Sequence, residues 1–179
     1  DYHVCWYDLD WNKMEGTTIY APVDDSVEIV KRSNDSILLD NTYVVFDFET
    51  TGFNAGGADS IIEIGAVKLR DGEIIEKFDR LIKPPHPISE RITKVTSITN
   101  EMVSDCPNEE DAIKEFISWT GDLPMVAHNA KFDTSFLISA YRKYNLGEYK
   151  NPVIDTLALS RILDQDASRH GLSAITKRY

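Results

Sequence analysis

Thr42-Tyr43-Val44-Val45-Phe46-Asp47-Phe48-Glu49-Thr50-Thr51-Gly52 is the stretch from which the fold is read. Tyr43 to Phe46 is a β-branched and aromatic run, which favours a strand. Side chains alternate between the faces of a strand, so Asp47 and Glu49 point the same way, about 6.6 Å apart along it. Two carboxylates on one face repel each other, and a solvent-exposed strand end would tolerate them. The run before them is apolar at every position, as in a central strand covered on both faces, which predicts a partly buried acidic pair without a cation. A hard divalent ion would relieve that repulsion, since Mg²⁺ binds through one or two carboxylates together with substrate phosphates.

Two further apolar runs follow, Ile61 to Leu69 and Ile74 to Ile82, joined by Asp71-Gly72. Asp-Gly between such runs signals a hairpin. After a break at Pro84-Pro85, a helix is expected from Pro107-Asn108 to Gly121, carrying Ile113, Phe116 and Ile117. A short strand, Met125 to His128, then leads to a helix from Ala130 to Tyr144. A last strand at Val153-Ile154-Asp155 feeds a helix over Leu157 to Leu163. Antiparallel strands followed by alternating helices and strands predict an α/β domain with a mixed sheet flanked by helices. Residues 1–41 show no sustained period and read as an accessory segment, with residues 42–179 as the main domain.

The second chemical element is His128-Asn129-Ala130-Lys131-Phe132-Asp133. Projected at 100° per residue, the helix after it puts Phe136, Leu137, Ala140 and Tyr144 on one arc with Asp133 near its centre, and Lys131, Thr134, Ser135 and Arg142 outside. An acid in the middle of a buried stripe is either satisfied by backbone or part of a site. Joined to Asp47 and Glu49, it makes three carboxylates at strand and helix ends, the set that a two-metal phosphoryl-transfer centre requires.

Charge limits the partners. Nineteen Lys and Arg face 30 Asp and Glu in 179 residues, a net charge of −11. No basic patch can dominate such a surface, so a nucleic acid would be held by a few placed cations, metal ions or a neighbouring domain. The two cysteines, Cys5 and Cys106, form neither a disulfide framework nor a zinc spacing, and a reducing compartment is the default. No apolar run approaches the length of a membrane span, and the first residues lack the regions of a signal peptide.

Asp47-Phe48-Glu49-Thr50-Thr51-Gly52, Ile61-Ile62-Glu63-Ile64-Gly65-Ala66-Val67, His128 to Asp133, and Val153-Ile154-Asp155-Thr156-Leu157 together resemble the DEDD-type 3′-5′ exonucleases of the ribonuclease H-like fold. Within that family the likeness is to the proofreading exonuclease domain inserted in PolC-type DNA polymerase III alpha subunits. The resemblance implies that Asp47, Glu49 and Asp133 are catalytic and ligate two Mg²⁺ or Mn²⁺ ions. It implies that Thr50, Thr51, Gly52, Glu63, His128 and Asn129 lie against substrate. It implies a single-stranded DNA 3′ end and the polymerase domains of the same polypeptide as partners, in the cytoplasm. The stretch before Tyr43 resembles the end of a preceding PHP domain.

The family also needs a fourth carboxylate and a His or Tyr general base on a helix beyond the region where this sequence stops, so the 179 residues are expected to lack part of the active site and to be inactive alone. His3 and Asp8 have the base-to-acid spacing but precede the first strand; His170 resembles a helix-start position. Glu63 reads either as a positioning partner or as a buried ion pair. Asp155 is expected to cap the helix behind it. Asp8 and Asp10 read as a solvated acidic run, and Trp6 and Trp11 as core or as contacts to a neighbour. A non-catalytic polymerase insert and a free-standing RNA- or DNA-trimming exonuclease share the same motifs.

Overall fold

The computed structural model describes residues 42–179; the readings of Cys5, Trp6, Trp11, His3 with Asp8, and the accessory segment lie outside the described residues. Five strands and five helices follow one another as β1 (Thr42–Thr50), β2 (Ile61–Arg70), β3 (Glu73–Leu81), α1 (Glu90–Thr96), α2 (Glu109–Thr120), β4 (Met125–Ala127), α3 (Lys131–Lys143), β5 (Val153–Asp155), α4 (Thr156–Leu163) and α5 (Leu172–Ile175). The sheet order is β3-β2-β1-β4-β5. β1 runs antiparallel to β2 and parallel to β4, and β4 is parallel to β5, which makes the expected mixed sheet.

Chain punctuation explains the boundaries. Asp71 and Gly72 both take positive φ, as a two-residue hairpin turn needs. Asn108 caps α2 by accepting from the Asp111 N–H, and Gly121 ends it at φ 58°. Asp155 caps α4, accepting from the N–H groups of Leu157 and Ala158, as expected of it. The strand containing the acidic pair runs four residues further than its apolar run, through Thr50.

α2 and α3 pack on one face of the sheet. There Val44, Phe46 and Phe48 of β1 join Ile64 and Ala66 of β2, Phe78 of β3, Ala112, Ile113 and Phe116 of α2, and Phe136, Leu137 and Ala140 of α3. Phe116 is the hub: its ring centroid lies 5.8 Å from Phe48, 5.4 Å from Phe78 and 6.2 Å from both Phe46 and Trp119. A second cluster of Ile62, Ile88, Ile98 and Val103 anchors the segment after β3.

Two expectations are corrected. β1 alternates buried residues with partly open ones, and Asp47 is exposed, so the strand is covered fully on one face only. Val44 and Phe46 are the apolar run's inward half, while Tyr43 and Val45, half-buried, share the open face with the acids. Thr134, expected outside the buried arc of α3, is buried, because its hydroxyl donates to the Ala130 carbonyl at 2.7 Å and leaves no polar group unsatisfied.

Phe116 is 1% exposed and meets the aromatic side chains of β1 and β3 and Trp119. Phe116→Ala is expected to lower the unfolding free energy by about 3–5 kcal/mol, through lost transfer energy and a cavity beneath β1. A urea titration followed by tryptophan fluorescence measures it; a loss below about 1 kcal/mol would show that α2 is not what holds this face.

Candidate active site

The strand β4 is short. It pairs with β1 only at Val44↔Met125 and Val45↔Val126, then the chain turns away at His128 and Asn129. The Val44 N–H donates to Pro124 on the β4 side, and Phe48, two pleats along, points its N–H to the same side. No β4 carbonyl remains there. Instead Oδ1 of Asp133 accepts the Phe48 N–H at 3.0 Å, extending the ladder by a side chain. Asp133 is in the first turn of α3, which has no side-chain cap, so the carboxyl also faces the positive end of that helix.

This bond draws Asp133 to the backbone between Asp47 and Glu49. The next strand adds more acid: Glu49 stands directly opposite Glu63, and Asp47 opposite Gly65. A Cβ at Gly65 would meet nothing, so the face over Asp47 stays open. Among the described residues none of Asp47, Glu49, Glu63 and Asp133 forms an ion pair. Like charges opposite one another across strands are destabilising, so the cluster costs the fold stability.

The titration of each acid records that crowding. Burial, then the neighbouring charges of Asp47 and Glu49, push the Asp133 carboxyl up to about 7, against the pull of the Phe48 N–H. Glu49 is raised by desolvation and by Asp47 and Glu63. Glu63 is raised by desolvation and by Asp79 and Asp47. Asp47 is raised by desolvation, with the charge of the His128 imidazole pulling the other way. Hard oxygen donors crowded without a counter-cation suit a divalent ion by chemistry. Their present spacing is looser than a coordination sphere: among the described residues no group of three His, Cys, Asp or Glu side chains is gathered closely enough to hold a metal.

A family model for exonucleases, RNase_T, matches residues 44–179. The chain belongs to this exonuclease family. The match places the acidic face of the β1-β2 pair and the start of α3 within an exonuclease domain. The DNA polymerase III PolC-type of Staphylococcus haemolyticus (strain JCSC1435) is 46% identical over 157 residues, 88% of this chain and 11% of that relative. The Staphylococcus aureus enzyme of the same name gives the same figures. The chain thus spans about a tenth of the length of the curated relatives it matches. Among solved structures, an exonuclease X in complex with 5′ overhanging duplex DNA superposes with a TM-score of 0.60 at 30% identity, covering 76% of this chain and 72% of that one. A product-bound exonuclease I gives a TM-score of 0.62 at 17% identity, over 70% of this chain and 32% of that one, a likeness of ribonuclease H-like fold alone.

The fold brings Asp47, Glu49, Glu63 and Asp133 near one another, and the other expected residues are held by hydrogen bonds of their own. The Thr50 hydroxyl donates to Gly52 O at 2.6 Å, and the Thr51 hydroxyl accepts the Ser60 N–H at 2.9 Å, so both are engaged within their own loop. His128 Nδ1 lies 3.0 Å from the Thr156 hydroxyl, and the Asn129 N–H donates to Asp155 Oδ1 at 3.0 Å. These two bonds lock the turn after β4 to the start of α4, with Asn129 in the left-handed region at φ 63°. Glu63 has no cationic partner among the described residues, which removes its ion-pair reading. His170 precedes α5 and bonds Ser160, as a helix-start residue does.

Two residues were missed. Asp59 braces the loop after β1, and Glu109 locks β2 to the helices: its carboxylate accepts the Ile61 N–H at 3.0 Å, Lys143 at 2.7 Å and the Tyr144 hydroxyl at 2.6 Å. Glu109 is signalled in the sequence only as a first-turn acid, and its partners lie more than thirty positions away.

Because the folded protein holds a proton on Asp133 that the unfolded chain releases from 3.8 upward, its contribution to stability is fully present below pH 4 and is lost as pH rises to about 7. Metal-free stability should therefore fall over that window, by up to about 4 kcal/mol from this group. Asp133→Asn keeps an acceptor for the Phe48 N–H and should flatten the slope, whereas Asp133→Ala leaves that N–H unsatisfied and should destabilise by about 1–3 kcal/mol. Denaturant titrations at pH 4.5 and 7.5 in EDTA test this; equal slopes in wild type and Asp133→Asn would refute it.

Proposed function

We propose that this chain is the 3′-5′ proofreading exonuclease module of a PolC-type bacterial replicative DNA polymerase, acting in the cytoplasm on the single-stranded 3′ end of DNA and releasing nucleoside monophosphates. One observation carries the reading: the Asp133 carboxyl is tied to the Phe48 N–H between Asp47 and Glu49, so acids from two distant stretches of the chain come together without a counter-cation. The polymerase relatives support the polymerase context. The domain boundary at residue 42, with a PHP-like end before it, belongs to the same proposal.

Asp47, Glu49 and Asp133 would hold two divalent ions, Mg²⁺ or Mn²⁺. Bound there, such ions activate water and stabilise the leaving 3′ oxygen of a phosphodiester. The residues of this chain supply the rest of what is needed on their side. Asp133 fixes its position through β1, and its first-turn location leaves the start of α3 facing the site. Thr50, Thr51 and Gly52 lie at the end of the strand that bears the acids, and the two threonine hydroxyls shape that loop rather than reach outward; contact with a nucleotide would come from backbone. Glu63, half-buried across from Glu49, and His128, beside Asp47, would border the terminal nucleotide, with Asn129 setting the turn that carries His128.

In a polypeptide that carries these residues and continues past Tyr179, Asp47→Ala or Asp133→Asn is expected to reduce Mg²⁺-dependent release of mononucleotides from a 5′-labelled oligonucleotide by at least about a hundredfold. Full activity in either variant would refute the ligand assignment. Residues 1–179 alone should show a trace of that activity at most; robust turnover would overturn the expectation of a missing base. No activity in the continued polypeptide, with intact binding of the strand, would favour a non-catalytic insert instead.

The charge of −11 gives a second outcome. With catalysis blocked by Ca²⁺, binding of single-stranded DNA should be weaker than micromolar at physiological salt, with a slope of log K against log salt shallower than about −4, since each neutralised phosphate contributes about 0.7. A module tethered to a polymerase receives the 3′ end at high effective concentration and works with such affinity. Submicromolar binding or a steeper slope in a fluorescence-anisotropy titration would favour a free-standing nuclease.

A further inference from the structure

The loop between β1 and β2 leaves the strand that bears Asp47 and Glu49 and returns after ten residues. Its ends are clamped. The Thr51 N–H donates to the Ser60 carbonyl at 2.9 Å, and the Ser60 N–H donates to the Thr51 hydroxyl at 2.9 Å. Inside the clamp one side chain reaches back across the loop. Asp59 Oδ2 accepts the Asn54 N–H at 2.9 Å, and Oδ1 accepts the Thr51 hydroxyl at 3.4 Å.

Its carboxylate also lies flat on the backbone of Gly52. A Cβ at Gly52 would stand 2.4 Å from Oδ2 and 2.5 Å from both Cγ and Oδ1, closer than real side-chain contacts allow. Gly52 needs no side chain's absence for its own backbone, since its φ is not in the left-handed region. The glycine is there to admit Asp59. Three positions, Thr51, Gly52 and Asn54, therefore border one carboxylate, and Phe53 sits between the last two. Phe53 is 83% exposed, and its ring lies 6.0 Å from that of Phe132, the residue before Asp133. An exposed aromatic ring has no packing of its own to fix the chain beneath it; the backbone on either side must do so.

We infer that Asp59 is a positioning residue of the nuclease site, which holds Thr51–Asn54 in one conformation beside the acidic face so that the strand end meets a preformed surface. The inference rests on the nuclease reading above. Asp59 itself touches neither substrate nor metal. It acts through the loop, so its loss raises the cost of ordering that loop when a strand binds and leaves the chemistry at the carboxylates intact.

The test uses the continued polypeptide and a single-stranded oligonucleotide with Mg²⁺. Asp59→Ala is expected to raise KM about tenfold with kcat within about twofold of wild type, the pattern of lost uniform binding. Asp59→Asn, which keeps an acceptor for the Asn54 N–H, should recover most of that loss. Gly52→Ala, whose methyl evicts the carboxylate, should reproduce the Asp59→Ala phenotype when made alone and add little when combined with it, because both remove one contact. Hydrogen exchange at the Asn54 amide should accelerate about tenfold or more in Asp59→Ala, with β1 amides unchanged. An unchanged KM in Asp59→Ala, a fall in kcat instead, or additive effects of the two substitutions would overturn the role while wild type still cuts DNA. Wild-type protein that neither cuts nor, with Ca²⁺, binds the strand would overturn the nuclease reading itself, and the exchange result would still report whether Asp59 holds the loop.

Discussion

The bond from the Phe48 N–H to the Asp133 carboxylate is the contact on which the site's geometry depends. It arises from a deficit: β4 is too short to satisfy the backbone of β1, and a buried N–H left unpaired costs on the order of 1–3 kcal/mol. An acid from the first turn of α3 answers the deficit. Any neutral acceptor of the same reach would satisfy the backbone equally well, and would do so without the repulsion from Asp47 and Glu49. The chain nevertheless places a carboxylate there, raised to about 7 by the burial and charges around it.

The opposite side of the sheet supplies what the acidic face spends. Phe46, Phe48, Phe78 and Trp119 surround Phe116, and Glu109 fastens the first residue of β2 to Lys143 and Tyr144 at the far end of α3. Asp133 near one end of α3 and Lys143 at the other are thus both fixed to the sheet, one to β1 and one through Glu109 to β2. The helix cannot slide along the sheet without breaking one of them, so the core and the site constrain the same element. Glu109 shows the contrast with the acidic face: it too is a buried carboxylate, but a lysine, a tyrosine hydroxyl and a backbone N–H satisfy it.

Elements whose signals are local were legible in the sequence. The Asp71-Gly72 hairpin, the Asn108 and Gly121 ends of α2, the Asp155 cap and the buried position of Asp133 all follow from period and punctuation. The acidic pair was found from its spacing, but its burial was misjudged, because a run of apolar residues does not tell a strand covered on both faces from one whose second face is half open. What stayed hidden depends on distant pairing. Nothing near Glu109 points to Tyr144, nothing near Phe48 announces a missing carbonyl on β4, and Gly52 looks like a turn glycine until Asp59 is seen lying against it.

The uneven sheet has a mechanical meaning. β1, β2 and β3 are joined along nearly their whole lengths, whereas β4 touches β1 at two positions and β5 is reached only through β4. The antiparallel meander is paired along its length, and the parallel wing of β4, β5 and α4 hangs on a short seam. Sub-global opening at that seam costs less than unfolding the meander. If that seam parts, the turn bearing His128 moves with the wing, while Asp47 and Glu49 stay with the meander and Asp133 stays tied to the Phe48 N–H. The acids thus stay together on the firmly paired side of that seam, and only the His128 turn lies across it.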